Sequence, residues 1–176
     1  MSMFVNRDGS ISIVRVGTFV AVLGVLFGIV GFILFTLDQQ RFGSPLEVDL
    51  YPGSEAWGAA EEFGPAATRS VYRVSGVDAE LVAQFYREQM YDYYDTSAAE
   101  ADTDEDCQRF PVAGVSEFYV EGNGNVPFEY VCFFNDSQYG SNRSTEITIQ
   151  PGVRNDETGT DTVGSTVVVY EQFWQP

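Results

Sequence analysis

The sequence contains no histidine and no lysine, and these two absences exclude much of the usual chemistry of enzymes. Without histidine there is no imidazole general base, no histidine-ligated metal and no C-x-x-C-H haem attachment. Without lysine there is no Schiff-base chemistry and no P-loop. All nine basic residues are therefore arginines, which is typical of a GC-rich or salt-adapted genome.

Basic residues of any kind are scarce beside acidic ones. The chain has 26 Asp and Glu against nine Arg, and its net charge is −17. We therefore expect no direct nucleic-acid binding, because phosphate recognition needs a cationic surface. After residue 37 the balance is seven Arg against 25 acidic residues, or −18. A domain with this charge would attract a cationic electron carrier, which is one partner that we expect.

One long uncharged run of 22 residues, 16–37, lies between Arg15 and Asp38. At about 1.5 Å per residue, a helix of this length crosses a hydrocarbon layer about 30 Å thick. The run therefore predicts a transmembrane helix in a lipid bilayer. A cleaved signal peptide is the alternative, but its apolar core is about 7–15 residues long and ends at an A-x-A-like site. Thr36-Leu37-Asp38 offers no such site, so we expect an uncleaved signal anchor.

The basic residues that flank this run predict its orientation. The short N-terminal flank, residues 1–15, carries Arg7 and Arg15 against Asp8. The C-terminal flank carries only Arg41, close to several acidic residues. Because cytoplasmic flanks of membrane helices are rich in Arg and Lys, residues 1–15 should be a cytoplasmic tail. We expect a single-pass protein of the plasma membrane, with a periplasmic or extracellular C-terminal domain.

The only two cysteines, Cys107 and Cys132, both lie in the part of the chain expected outside the membrane. A cysteine pair in an oxidising compartment is most simply interpreted as one disulfide. It would close a loop of about 25 residues and stabilise the fold by roughly 3 kcal/mol. Two free buried thiols are the alternative.

Glycine and proline interrupt residues 38–66, which we interpret as a connector leading into a domain over residues 67–176. Within the connector, residues 46–50 alternate in polarity and predict a short strand. Residues 68–75 (TRSVYRVS) alternate as well and predict the first strand of the domain.

An amphipathic helix is predicted after Asp78, a suitable N-cap, with apolar residues at spacings of three and four. It should end between Met90 and Tyr94. Beyond it, turn signals separate five strand-like segments. These segments are residues 107–112, 115–121, 127–134, 145–150 and 165–174, and residues 135–144 and 152–164 are among the turns. One helix packed on a mainly antiparallel sheet, beside the N-terminal transmembrane helix, gives an α+β fold.

One acidic motif has two interpretations. Asp102, Asp104 and Asp106 have the spacing that opens a calcium loop. However, the glycine and the late glutamate of an EF-hand are missing, because Cys107 and Ala113 occupy those places. A solvated acidic loop is therefore favoured over a metal site.

Two further features of the domain also have ordinary explanations. Asn135-Asp-Ser137 and Asn142-Arg-Ser144 match the N-glycosylation sequon, although chance occurrence is the favoured interpretation. The aromatic cluster Tyr91, Tyr93 and Tyr94 at the end of the helix is a candidate ligand site, although a role in packing is the favoured interpretation.

Small residues line one face of the apolar run. Their spacings of four, three, four and three place them together on a helix. Small residues allow a second helix to approach closely, which drives helix association in lipid. We therefore predict a packing face against another membrane helix, although glycine is common in spanning helices in any case. This face, here named the small-residue seam, consists of Gly17, Ala21, Gly24, Gly28 and Gly31.

The signal anchor, the Tyr51-Pro52-Gly53 turn and the segment Phe85-Tyr86-Arg87-Glu88-Gln89-Met90 together resemble a known kind of membrane subunit. The chain is similar to single-span accessory subunits of bacterial membrane electron-transfer complexes of the Chloroflexi type, such as alternative complex III. The resemblance is concentrated in residues 16–90. It implies a structural subunit without a cofactor of its own.

These observations favour a non-catalytic accessory subunit of a respiratory or photosynthetic membrane complex. Its partners would be other transmembrane subunits and the bilayer. The first alternative is a membrane-anchored binding or sensor domain that uses the tyrosine cluster. The second is a carboxylate-dependent hydrolase, since acidic residues are plentiful, but no carboxylate pair stands out and no G-x-S-x-G motif occurs.

Overall fold

A computed structural model describes residues 13–97, 99–102, 105–138 and 141–175. The chain divides into two compact units, Met1–Arg41 and Phe42–Pro176. The second unit, here named the C-terminal unit, therefore includes most of the predicted connector as well as the predicted domain. The predicted cytoplasmic tail lies mainly in residues 1–12, which are outside the described residues.

The first helix, α1, spans Ile13–Phe42 and contains the predicted apolar run. Its segment Val16–Phe42 has a mean hydropathy of 2.7 and is long and apolar enough to cross a membrane. Large apolar side chains point outward all around it, including Phe27 and Phe32, which are 73% and 70% exposed. A helix with apolar residues on every side is typical of a membrane span.

The C-terminal unit is built on a seven-stranded, wholly antiparallel sheet with the order β1-β3-β9-β6-β5-β4, in which β2 also pairs with β3. A separate two-stranded ribbon joins β7 to β8. The strands are β1 (Glu55–Ala56), β2 (Glu61–Gly64), β3 (Ala67–Ser75), β4 (Gln108–Phe110), β5 (Glu129–Gln138), β6 (Ser141–Pro151), β7 (Arg154–Asn155), β8 (Thr160–Asp161) and β9 (Ser165–Gln175).

The second helix, α2, spans Ala79–Tyr94 and packs on β5, β6 and β9. It begins after Asp78, whose backbone is extended, and ends at Asp95 in the left-handed region. The buried side chains of α2 recur at spacings of three and four, which the sequence pattern predicts. The α+β architecture, with one helix on a mainly antiparallel sheet and one long apolar N-terminal helix, is therefore confirmed.

The core lies between α2 and the sheet face beneath it. Alternate residues of the three central strands point into it, as a sheet with one buried face requires. The structure also joins Cys107 to Cys132 in this core, which is the pairing that the sequence predicts. The bond ties the segment before β4 to β5. The strand residues buried here include Tyr130, Phe134, Ile147, Ile149, Val168 and Tyr170.

Residues 46–50 do not form the predicted strand. Their extended backbone is held by side chains instead of a neighbouring strand. The Leu46 carbonyl accepts hydrogen bonds from Thr145 Oγ1 at 2.6 Å and from Gln172 Nε2 at 2.9 Å. The Asp49 carbonyl accepts one from Gln89 Nε2 at 3.2 Å. Leu46 is buried, but Leu50 is 42% exposed, so the alternating polarity predicted only part of the burial and not the source of the hydrogen bonds.

Two other predictions along the chain were wrong. Residues 115–121 form turns and irregular structure instead of a strand. Tyr119 N–H donates to the Ser116 carbonyl, and Ser116 N–H donates to the Pro127 carbonyl. Residues 135–144 are not mainly a turn, since β5 and β6 continue through them in register. In this segment Asp136 lies opposite Arg143 and forms an ion pair with it. The segment therefore stays in the sheet although several of its residues favour turns.

A buried chain of hydroxyl groups connects the helix, the sheet and the connector. Tyr86 on α2 and Tyr170 on β9 share a hydrogen bond of 2.5 Å between their hydroxyl oxygens. The Tyr51 amide donates to Tyr86 at 3.0 Å, and the Tyr170 hydroxyl lies 3.4 Å from the Asp49 carbonyl. Burial raises the pKa of both tyrosines, so both hydroxyls remain protonated at neutral pH.

We expect Tyr86→Phe to lower the free energy of unfolding by about 1–3 kcal/mol, because it leaves the buried Tyr51 amide without its acceptor. Tyr72→Phe is the matched control. The Tyr72 ring packs against Tyr170 at 5.4 Å, but its hydroxyl is outside the buried chain. Urea denaturation of both variants measures the difference. Equal effects of the two substitutions would contradict a special role for this hydrogen bond.

Candidate functional site

The small-residue seam is uncovered within the described chain. A Cβ atom built on Gly17, Gly24, Gly28 or Gly31 meets no atom within 4 Å. Larger side chains would therefore fit at all four positions of α1 if the chain were alone. Nothing in the described chain itself explains why these positions are glycine. The prediction of a packing face thus concerns a helix from another chain.

The acidic motif of Asp102, Asp104 and Asp106, for which a solvated loop is favoured over a calcium site, is only partly described. Asp104 lies outside the described residues, and the Asp106 carboxylate binds Arg87 Nε at 2.6 Å. The Asp102 amide donates to the Glu105 side chain at 3.4 Å. No group of three or more Asp, Glu or Cys in the described part of the chain could hold a metal ion.

The tyrosine cluster at the end of α2 closes an open sheet edge. Strand β4 pairs with β5 only from Glu129 to Val131, and no other strand of the described ranges pairs with the rest of this edge of β5. The Tyr94 hydroxyl accepts a hydrogen bond from the Asn135 amide at 3.0 Å and lies 3.1 Å from the Phe133 carbonyl. The Tyr93 hydroxyl donates to the Asn135 carbonyl at 3.2 Å. These tyrosines therefore protect the edge from pairing with another chain.

The two sequons differ in their surroundings. Asn135 lies within β5, and its Oδ1 atom is buried without a hydrogen-bond partner. Asn142 lies near the start of β6, and its side chain is exposed. Asn142 is therefore the more exposed of the two sequon asparagines.

A buried ion pair lies near the start of the C-terminal unit, and the sequence analysis missed it. Arg143 donates from Nε and from a terminal nitrogen to Asp136 Oδ2, at 3.0 and 2.8 Å. Only 10% of the Arg143 side chain and 12% of the Asp136 side chain is exposed. The Arg143 guanidinium also lies 5.5 Å from the centre of the Phe42 ring. The two residues lie in a segment that the sequence predicts to be a turn, so only their register in the sheet reveals the pair.

The sheet face opposite α2 is the most unusual surface of the C-terminal unit. One row of residues crosses the four central strands in register, and it consists of Arg69, Glu171, Glu146 and Phe133. Arg69 lies 3.4 Å from Glu171, but Glu146 has Glu171 on one side and Phe133 on the other. Burial and the charge of Glu171 raise the pKa of the Glu146 carboxyl.

Apolar side chains surround this acidic pair. The rings of Phe133 and Phe173 are each 42% exposed on the same face. In the next row, Val169 and Val131 occupy β9 and β5. The face therefore combines two glutamates, of which Glu146 lies between Glu171 and Phe133 in its row, with exposed aromatic rings. We name this surface, centred on Glu146, Glu171, Phe133 and Phe173, the open sheet face.

Two clefts of the C-terminal unit are lined by different kinds of residue. One, about 470 Å³, is lined mainly by apolar residues such as Phe110, Phe118 and Phe128. Another, about 340 Å³, brings Glu121, Arg154 and Asp161 near one another. Arg154 pairs with Asp156 at 2.8 Å, which makes it part of a surface ion pair.

Comparisons with protein-family models, with curated proteins and with solved structures find no match to this chain.

The raised pKa of Glu146 predicts a pH-dependent effect on stability. Its value in the fold lies above the ordinary 4.5, so the folded chain binds this proton more tightly than the unfolded chain. The free energy of unfolding should therefore fall as the pH rises from the ordinary pKa of 4.5 through the raised pKa of Glu146. It should stay lower at higher pH. Glu146→Gln removes the like charge opposite Glu171. At pH 7 this variant should be more stable than the native chain by about 0.2–1 kcal/mol.

The gain of Glu146→Gln should vanish at pH 3, where the native carboxyl is protonated. Chemical denaturation at pH 3 and pH 7 measures both values. Glu157→Gln is the control, since Glu157 is exposed between β7 and β8. A gain that is the same at both pH values would show that charge repulsion is not its cause.

Proposed function

We propose that this chain is a non-catalytic accessory subunit of a membrane complex, anchored by α1, that presents an acidic domain at the outer surface. The observation that carries the proposal is the uncovered small-residue seam of an otherwise apolar helix. We assign electron transfer to this complex because residues 16–90 resemble single-span accessory subunits of membrane electron-transfer complexes.

We place the N-terminus in the cytoplasm and the C-terminal unit outside, with α1 retained as an uncleaved anchor. Arg7 and Arg15 before the helix support this orientation. The buried disulfide supports an oxidising compartment for the C-terminal unit, because such bonds persist outside the cytoplasm. The protein would then be a single-pass protein of the plasma membrane.

Protease added to intact spheroplasts tests this orientation. We expect digestion of the C-terminal unit and protection of a fragment that contains α1, because only the outer part is accessible. Lysed spheroplasts are the control, in which the cytoplasmic tail should be digested as well. A C-terminal unit that resists protease until lysis would reverse the orientation.

Between lipid-exposed helices there is no hydrophobic gain, so association depends on close packing of the two backbones. Gly24 and Gly28 form a GxxxG pair at the centre of the seam, where close approach matters most. A leucine there would raise helix propensity and hydrophobicity. Membrane insertion should therefore survive a substitution that abolishes packing.

We expect Gly24→Leu or Gly28→Leu to lower the assembled fraction about tenfold, which corresponds to about 1.4 kcal/mol. Native gel electrophoresis of membranes in mild detergent measures the assembled fraction, and immunoblotting of membranes checks insertion. Leu26→Ala is the matched control, since Leu26 lies outside the seam and is 53% exposed. Its assembled fraction should be unchanged.

If the Gly24 and Gly28 variants assemble like Leu26→Ala, the seam has no role in association. Migration of the native protein as a lone monomer would contradict the subunit proposal as a whole. Co-migration with multi-span or haem-containing subunits would support it.

A further inference from the structure

The open sheet face lies on the side of the sheet opposite α2, and two of its aromatic side chains are exposed. Helix α2 packs on the other face, and it is the only α-helix of this unit within the described residues. Exposed aromatic rings are costly in water, and here two of them, Phe133 and Phe173, share one face. Aromatic residues are enriched at protein interfaces.

The acidic pair on this face destabilises the isolated chain. Glu146 and Glu171 occupy directly opposite positions on β6 and β9, where like charges repel. Arg69 lies beside Glu171 on the far side of β9, so it is two strands away from Glu146. Residues that serve only solubility would not need to face each other across a pair of strands.

The charge of this face restricts what could cover it. A second copy of the chain would bring its own Glu146 and Glu171 against these two, and each C-terminal part carries a charge of −18. A purely apolar surface would leave the half-buried Glu146 carboxylate desolvated and without a counter-ion, which is unfavourable. A cationic side chain within an apolar surface satisfies both the carboxylates and the phenylalanine rings.

We propose that the open sheet face is the docking surface for a partner subunit that inserts an arginine or lysine, surrounded by apolar residues, against Glu146. This inference rests on the proposed function and adds the chemistry of one contact. The guanidinium of an arginine suits the site best, since it donates several hydrogen bonds to a carboxylate and stacks on aromatic rings. The repulsion between Glu146 and Glu171 would then be replaced by attraction in the complex.

Photo-cross-linking of the full-length protein in its native membrane tests this proposal. A benzophenone amino acid replaces Phe133 on the open sheet face or, as a control, Val112, which is 85% exposed near the end of β4. We expect a cross-link from position 133, and not from position 112, to a different polypeptide. Mass spectrometry should place it in a segment with Arg or Lys among apolar residues.

Charge reversal then tests the contact itself. Glu146→Arg in the position-133 background should lower the cross-link yield about tenfold, because it opposes the partner's cation. Glu157→Arg introduces the same charge change on an exposed turn and should leave the yield unchanged. Glu146→Gln, which cannot disturb folding by charge reversal, should give an intermediate loss. Circular dichroism of each purified variant shows that the fold is retained.

The proposal is overturned if the cross-link joins a second copy of this chain or a partner segment without basic residues. It is overturned too if Glu146→Arg leaves the cross-link yield unchanged. It is also overturned if position 133 gives no more cross-link than position 112. Native gels separate this failure from that of the subunit proposal. An assembled complex without the cross-link rejects only the docking surface. A Glu146-dependent cross-link from a protein that migrates alone keeps the docking surface and rejects stable assembly.

Discussion

The hydrogen bond between the hydroxyls of Tyr86 and Tyr170 is the contact on which the C-terminal unit depends most. It connects the helix to the central strand of the sheet, and its two ends reach the backbone of Tyr51 and Asp49. These hydrogen bonds therefore join α2, β9 and residues 49–51, which are far apart in the sequence. Each polar group in it would be costly to bury alone, so the four groups stabilise one arrangement of helix, sheet and connector together.

The edges of the sheet are protected from contact with other chains, but its open face is not. At one edge, tyrosine hydroxyls occupy the free backbone groups of β5, and at the other, β2 carries Glu61 and Glu62 on an exposed strand. Both devices oppose unwanted strand pairing. The open sheet face has no such protection, because its phenylalanine rings remain exposed beside a like-charge pair. This contrast directs attention to the face, and not the edges, as the surface for a partner.

The large negative charge acts at two ranges. Over long distances, a charge of −17 attracts cations and repels copies of the same chain, an effect that falls with ionic strength. At contact distance, most of it is irrelevant to the fold, because exposed ion pairs such as Arg154 with Asp156 contribute little. The pair of Asp136 with Arg143 is different, since both side chains are nearly buried and loss of either partner would leave a buried charge.

Local patterns in the sequence determined the long apolar helix, helix α2, strand β3 and the disulfide partners, because each depends on neighbouring residues or on there being only two cysteines. Pairing of distant strands decided the rest. Residues 115–121 alternate like a strand but pair with no strand within the described residues, and residues 46–50 bind side chains of β6 and β9 instead of a strand edge. The register that brings Glu146 opposite Glu171 has no local signature, since it depends on how β6 and β9 align. Only the tertiary structure could therefore reveal the open sheet face.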